Sequence, residues 1–69
     1  MIRLKVKEVA MQMGFNQASL ARATGLGFST IKRIFHDPYK TISLQMLEQI
    51  AKTLGVSAHD LFEEEPDPE

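Results

Sequence analysis

Four polar side chains, Ser29, Lys32, Arg33 and His36, recur at intervals of three, one and three residues, and on an α-helix that spacing gathers them on one face. Such a face groups hydroxyl, ammonium and guanidinium donors, which hydrogen-bond to the base edges and phosphates of nucleic acid. A hydrolytic reading of the same stretch fails. Ser29, His36 and Asp37 are the residue types of a nucleophilic triad, but beside one exposed helix they have neither a pocket nor oxyanion donors. His36 and His59 stand far apart in a chain without cysteine, so they read as surface histidines, and no metal or other cofactor is expected.

The chain around this face is short. Its 69 residues, 43% hydrophobic and 25% charged, suffice for one core in one domain. A large enzyme is excluded, and the enzyme class is set aside for want of a core that could hold a pocket. Without cysteine, stability must come from packing, with a second subunit as the available supplement. No run approaches the ~20 apolar residues of a membrane span, and Met1 to Lys7 interleaves charge with apolar residues in place of a signal-peptide core. A cytoplasmic protein with no membrane association is therefore expected. Residues 1–62 carry eight Lys and Arg against four acids (Glu8, Asp37, Glu48, Asp60), whereas residues 63–69 carry five acids and no base.

The elements that must position the polar face follow from apolar periodicity and its punctuation. The spacing predicts an all-α chain of five short helices, with no strand. The first runs from about Arg3 to Met13, its stripe Ile2, Val6, Val9 and Met13 ending at Gly14. Asn16 caps a second helix, Gln17 to Thr24, which turns Leu20 and Ala21 inward and stops at Gly25. A third, Phe28 to His36, buries Ile31, Ile34 and Phe35 opposite the polar face and ends at Asp37-Pro38. Ser43 caps a fourth to Leu54, with Leu44, Leu47, Ile50, Ala51 and Leu54 inward and Gly55 closing it. A last short helix starts at Ser57, with Asp60 completing a capping box and Val56 packing on Leu61 as a staple. The domain is expected to span residues 1–62, and the run Glu63-Glu64-Glu65-Pro66-Asp67-Pro68-Glu69 to be a disordered acidic tail.

Two short helices joined through Gly25, with Ala21 small enough for a close crossing, have the geometry of a helix-turn-helix over about residues 17–36. The run Asn16-Gln17-Ala18-Ser19-Leu20-Ala21-Arg22-Ala23-Thr24-Gly25-Leu26-Gly27-Phe28-Ser29-Thr30-Ile31-Lys32-Arg33-Ile34 resembles the helix-turn-helix of the Cro/phage-repressor type, also called the XRE family. Gln17, Leu20, Ala21, Gly25, Leu26, Ile31 and Ile34 carry the match. Ile42-Ser43-Leu44, Leu47, Ile50-Ala51, Leu54-Gly55-Val56-Ser57 and Leu61-Phe62 are similar to the family's closing helices. The chain departs from the pattern at Gly27, where a capping serine is usual, at Phe28, where a polar side chain is common, and at Ala10, Phe35 and Asp37.

The resemblance implies a compact, lambda-repressor-like five-helix bundle that binds double-stranded DNA sequence-specifically as a small transcriptional regulator, a repressor that occludes a promoter. Ser29, Lys32 and Arg33 meet the need for base-edge donors on a groove-entering helix, and His36 shares their face. By resemblance Gln17 would contact a phosphate beside the N-terminus of its helix, and Lys40 would reach the backbone from the next loop. Phe28 either lies on a thymine methyl or packs at the edge of the core. The rival reading is a protein-interaction module on the same fold, such as an antitoxin or adaptor with a protein partner. A two-fold homodimer is the expected working form, since one recognition helix reads only a few base pairs. Its surface is sought at Leu61, Phe62, Ile42 and Tyr39, with sealing of the monomer as the alternative role of Leu61 and Phe62.

Overall fold

The computed structural model describes residues 1–67. Four α-helices run through it in the order α1 (Val6–Gln12), α2 (Gln17–Thr24), α3 (Phe28–His36) and α4 (Leu44–Leu54), followed by a 3-10 turn (Ala58–Leu61). Strands β1 (Ile2–Leu4) and β2 (Phe62–Glu64) lie at the two ends of the chain and pair antiparallel, with Ile2 opposite Glu64, Arg3 opposite Glu63 and Leu4 opposite Phe62.

This small ribbon corrects the all-α, five-helix expectation in three places. The first helix begins at Val6, not Arg3, because Ile2-Arg3-Leu4 alternates with a period of two and sends Leu4 into the core and Arg3 to the other face. Ile2 and Met13, the ends of the expected helical stripe, are each 49% exposed, and Val6, Val9 and Ala10 form the buried side of α1. Glu63 and Glu64, assigned above to a disordered tail, belong to β2. Their mutual repulsion is offset by Arg3, whose guanidinium lies 3.3 Å from Glu63 and 3.1 Å from Glu8. Beyond the strand, the Met1 ammonium meets Asp67 at 2.7 Å and Glu65 N–H donates to the Met1 carbonyl. The disorder expected of residues 68 and 69 lies outside the described residues.

The middle of the chain forms as its punctuation requires. Asn16 accepts from Ser19 N–H while the Ser19 hydroxyl accepts from Asn16 N–H, so α2 starts with reciprocal caps. Gly25 ends α2 at φ 72°, a left-handed conformation that any Cβ disfavours. Ser43 caps α4 by accepting from Met46 N–H, and Ser57 and Asp60 form the expected box at the 3-10 turn.

Leu4, Val6, Val9, Leu20, Ile31, Ile34, Leu47, Ile50, Leu54 and Leu61 make one contiguous core, with Phe15, Leu26 and Phe35 packed at its edge. Two residues depart from their expected roles. Leu61 is fully enclosed, so it seals the monomer and cannot contact a second copy. Leu44, expected inward, is 82% exposed, because α4 begins beyond the edge of the elements that would cover its first turn.

Candidate nucleic-acid interface

The most extensive packing between elements joins α2 to α3. Leu20 and Ala21 of α2 face Ile31 and Ile34 of α3 in the core, all of them buried. Burial of one side of α3 dictates what the other presents: Ser29, Lys32, Arg33 and His36 are all exposed, on the face opposite Ile31 and Ile34. Thus the structure brings four of the seven predicted site residues together on one helix face.

Phe28 opens α3 and is 50% exposed. With Gln17, Met11, Asn16, Ala18 and Phe35 it lines a shallow, mainly apolar hollow, which places the first residue of α2 beside the first residue of α3. Gln17 itself is half-buried. Lys40 stands apart from the others: it is half-buried in the loop after α3 and lines a separate groove beside the β ribbon. That loop starts with a tight turn in which the Asp37 carboxylate accepts from Tyr39 N–H at 3.1 Å.

The joint between the helices is held by residues that the sequence reading passed over. The buried Thr24 hydroxyl donates to the Leu20 carbonyl at 2.7 Å and accepts from Leu26 N–H at 3.3 Å, tying the end of α2 to the turn. From α4 the Gln49 amide donates to the Thr24 carbonyl, which links the turn to the body of the domain. Threonine one residue before a turn glycine was the available signal for the first contact; nothing local marks Gln49.

Gly27 explains one departure from the family pattern. Its backbone sits at φ 86°, ψ 143°, close to a region open only to glycine. A serine would be strained there, and α3 starts without a side-chain cap, so its first N–H groups remain available to an external acceptor.

Charge pairing distinguishes residues 17–40 from the ribbon. Between residues 17 and 40 the chain has Arg22, Lys32, Arg33 and Lys40 against the single acid Asp37. Among the described residues, the ion pairs gather instead around Arg3 and the Met1 ammonium, with Glu8, Glu63, Glu65 and Asp67 as partners. Glu8 first, and then Glu63, raise the Arg3 pKa above its ordinary value. Glu63, Glu65 and Asp67 are thus engaged at the ribbon, and none of these pairs involves Lys32 or Arg33.

The model of the Cro/C1-type HTH DNA-binding domain matches residues 5–67. The HTH-type transcriptional regulator SinR of Bacillus subtilis (strain 168) is 29% identical over all 69 residues, and the chain spans 62% of that relative's length. The match takes in every element from α1 to β2, and so the chain belongs to the Cro/C1-type helix-turn-helix DNA-binding domain family.

Proposed function

We propose that this chain binds double-stranded DNA sequence-specifically and acts as a transcriptional regulator, with α3 as the helix that enters the major groove. The observation that carries the reading is the single exposed face of Ser29, Lys32, Arg33 and His36, set opposite the buried Ile31 and Ile34 and joined to no acid by any ion pair among the described residues. Arg33 and Lys32 donate to base edges or phosphates, Ser29 to either, and His36 extends the same face toward the phosphates. Phe28, at the head of α3, contacts a thymine methyl. Gln17, at the head of α2 and next to Phe28, takes a phosphate at that helix N-terminus. Lys40 contributes at most a peripheral phosphate contact, since its side chain borders the groove by the ribbon. Regulation by promoter occlusion is the simplest mode for a chain whose described residues make one domain, and it requires no catalytic group.

The test is selection from random duplexes, followed by gel shifts of the selected sequence at two stated salt concentrations. A consensus bound at least ~10³-fold more tightly than random duplex supports the reading. Equal affinity for all duplexes, or none, overturns it. The latter result would favour the second reading, a protein-interaction module. Its supporting observation is the open apolar surface of Phe28 and Met11, which are 50% and 62% exposed beside the same hollow.

A further inference from the structure

The segment proposed to read DNA is joined to the rest of the molecule by apolar packing and by one polar contact. Leu20, Ala21, Ile31 and Ile34 sit in the shared core. Among the described residues a single hydrogen bond links residues 17–36 to a part of the chain beyond their immediate flanks, from the Gln49 amide on α4 to the Thr24 carbonyl, and no ion pair does so. Apolar packing is non-directional and lets a helix pair slide or turn a little, whereas a hydrogen bond weakens steeply off its axis.

Thr24 closes α2, and its carbonyl is one of the four at the end of a helix for which the helix itself supplies no donor. Gly25 then turns the chain at φ 72° and Gly27 turns it again at φ 86°, and a Cβ at either would meet nothing within 4 Å, so crowding does not lock the joint. Its order comes from Thr24. The Thr24 hydroxyl holds the Leu26 N–H, and the Thr24 carbonyl is held in turn by Gln49. Gln49 is exposed and lies outside the core, so this bond is what ties its side chain to the fold.

We propose that Gln49 is a positioning residue for sequence reading: by fixing the Thr24 carbonyl it sets the angle at which α3 meets the major groove, without touching a base itself. Base edges are read by hydrogen bonds that demand placement within about 0.5 Å, whereas attraction to phosphates is independent of sequence and tolerates a looser pose. Loss of the bond therefore lowers specificity before it lowers binding. The inference rests on the duplex-binding reading, and its test separates the two.

The selected duplex and a random one are titrated at one stated salt concentration with the whole chain, with Gln49→Met and with Gln49→Lys. Methionine keeps the length and shape of glutamine but lacks the N–H, and lysine restores a donor of sufficient reach. Gln49→Met should bind the selected duplex about five- to tenfold more weakly, the worth of one lost hydrogen bond, and the random duplex within about twofold of the parent chain. Gln49→Lys should return the ratio of the two affinities to within about twofold of the parent value, since its added charge acts on both duplexes alike. Without DNA, the Leu26 amide should exchange at least about threefold faster in Gln49→Met while the Ile50 amide is unchanged. A ratio unmoved in Gln49→Met, or not recovered in Gln49→Lys, overturns the proposal. So does an equal loss on both duplexes, the mark of a direct phosphate contact or of a general loss of stability. A parent chain that selects no sequence overturns the duplex-binding reading; the clamp is then judged by Leu26 exchange alone, and exchange indifferent to Gln49→Met overturns it too.

Discussion

The helix-turn-helix segment and the ribbon with its groove solve opposite problems with the same kinds of residues. In α2 and α3 every large aliphatic side chain is enclosed and the charges Arg22, Lys32 and Arg33 are left in solvent, with no acidic partner among the described residues. At the ribbon the reverse holds: the charges Arg3, Glu8, Glu63 and Glu65 satisfy one another, and Ile2, Tyr39 and Leu44 are left uncovered. A protein exposes what it offers to something else. The first region offers unneutralised cations and hydrogen-bond donors, which suit a polyanion. The second offers apolar area, which suits another protein surface.

That contrast can be broken most decisively in the core. Ile31→Ala should cost about 2–5 kcal/mol in urea unfolding, since the side chain is fully enclosed. Leu44→Ala should stay within about 0.5 kcal/mol of the parent chain. Comparable losses at the two sites would show that the groove is core and not surface. Next in size is Arg33→Ala, expected to weaken the selected duplex by about 1–3 kcal/mol and to relax preference at one base pair, with its urea midpoint unmoved. Unchanged affinity and preference would remove α3 from the interface.

Gly25→Ala sharpens the comparison from the side of geometry. No atom lies within 4 Å of an added Cβ there, so the expected cost of about 1–2 kcal/mol is conformational, from φ 72° alone. A neutral substitution would mean that the turn between α2 and α3 relaxes freely. The smallest effect belongs to the ribbon. Tyr39 is the only tyrosine and the chain has no tryptophan, so tyrosinate absorbance reports this one phenol. Its hydrogen bond to Glu65, 3.1 Å, raises its pKa above 10.0. A raised phenol pKa means that this contact contributes fully below the unfolded-state value near 10 and is lost as pH rises through the folded-state value. Glu65→Gln should bring the titration midpoint back toward 10.0; a midpoint indifferent to the substitution would dissolve the contact.

The two regions also differ in how far they can be read from sequence. The bounds of α2 and α3 are legible because Asn16, Gly25 and Asp37-Pro38 act on their own neighbours, and the exposed face of α3 follows from its rotation per residue. The ribbon is illegible for the opposite reason. Ile2-Arg3-Leu4 is too short for its alternation to outweigh the helical spacing of Ile2, Val6, Val9 and Met13, and its partner strand lies at the other end of the chain. Likewise, the inward position expected of Leu44 assumed a neighbour over the first turn of α4, and a periodicity does not say whether one is there. Gln49 and Thr24 meet across 25 residues, a contact that no local pattern announces.

The ribbon also bears on the order in which the fold assembles. Arg3 and Glu63 are separated by 60 residues and the Met1 ammonium and Asp67 by 66, so the pairing of the two ends closes nearly the whole chain into a loop and bears a larger entropic cost than the contacts within the helical body. The capped turns of α2 and α4 close over a few residues and form far sooner. The two ends therefore zip together only after the helices have brought them near each other, and with few buried groups behind them they are the first to part. In native-state hydrogen exchange, the Lys5 amide held by the Leu61 carbonyl and the Glu65 amide held by the Met1 carbonyl should exchange through this local opening. The Ile31 and Ile50 amides should wait for global unfolding.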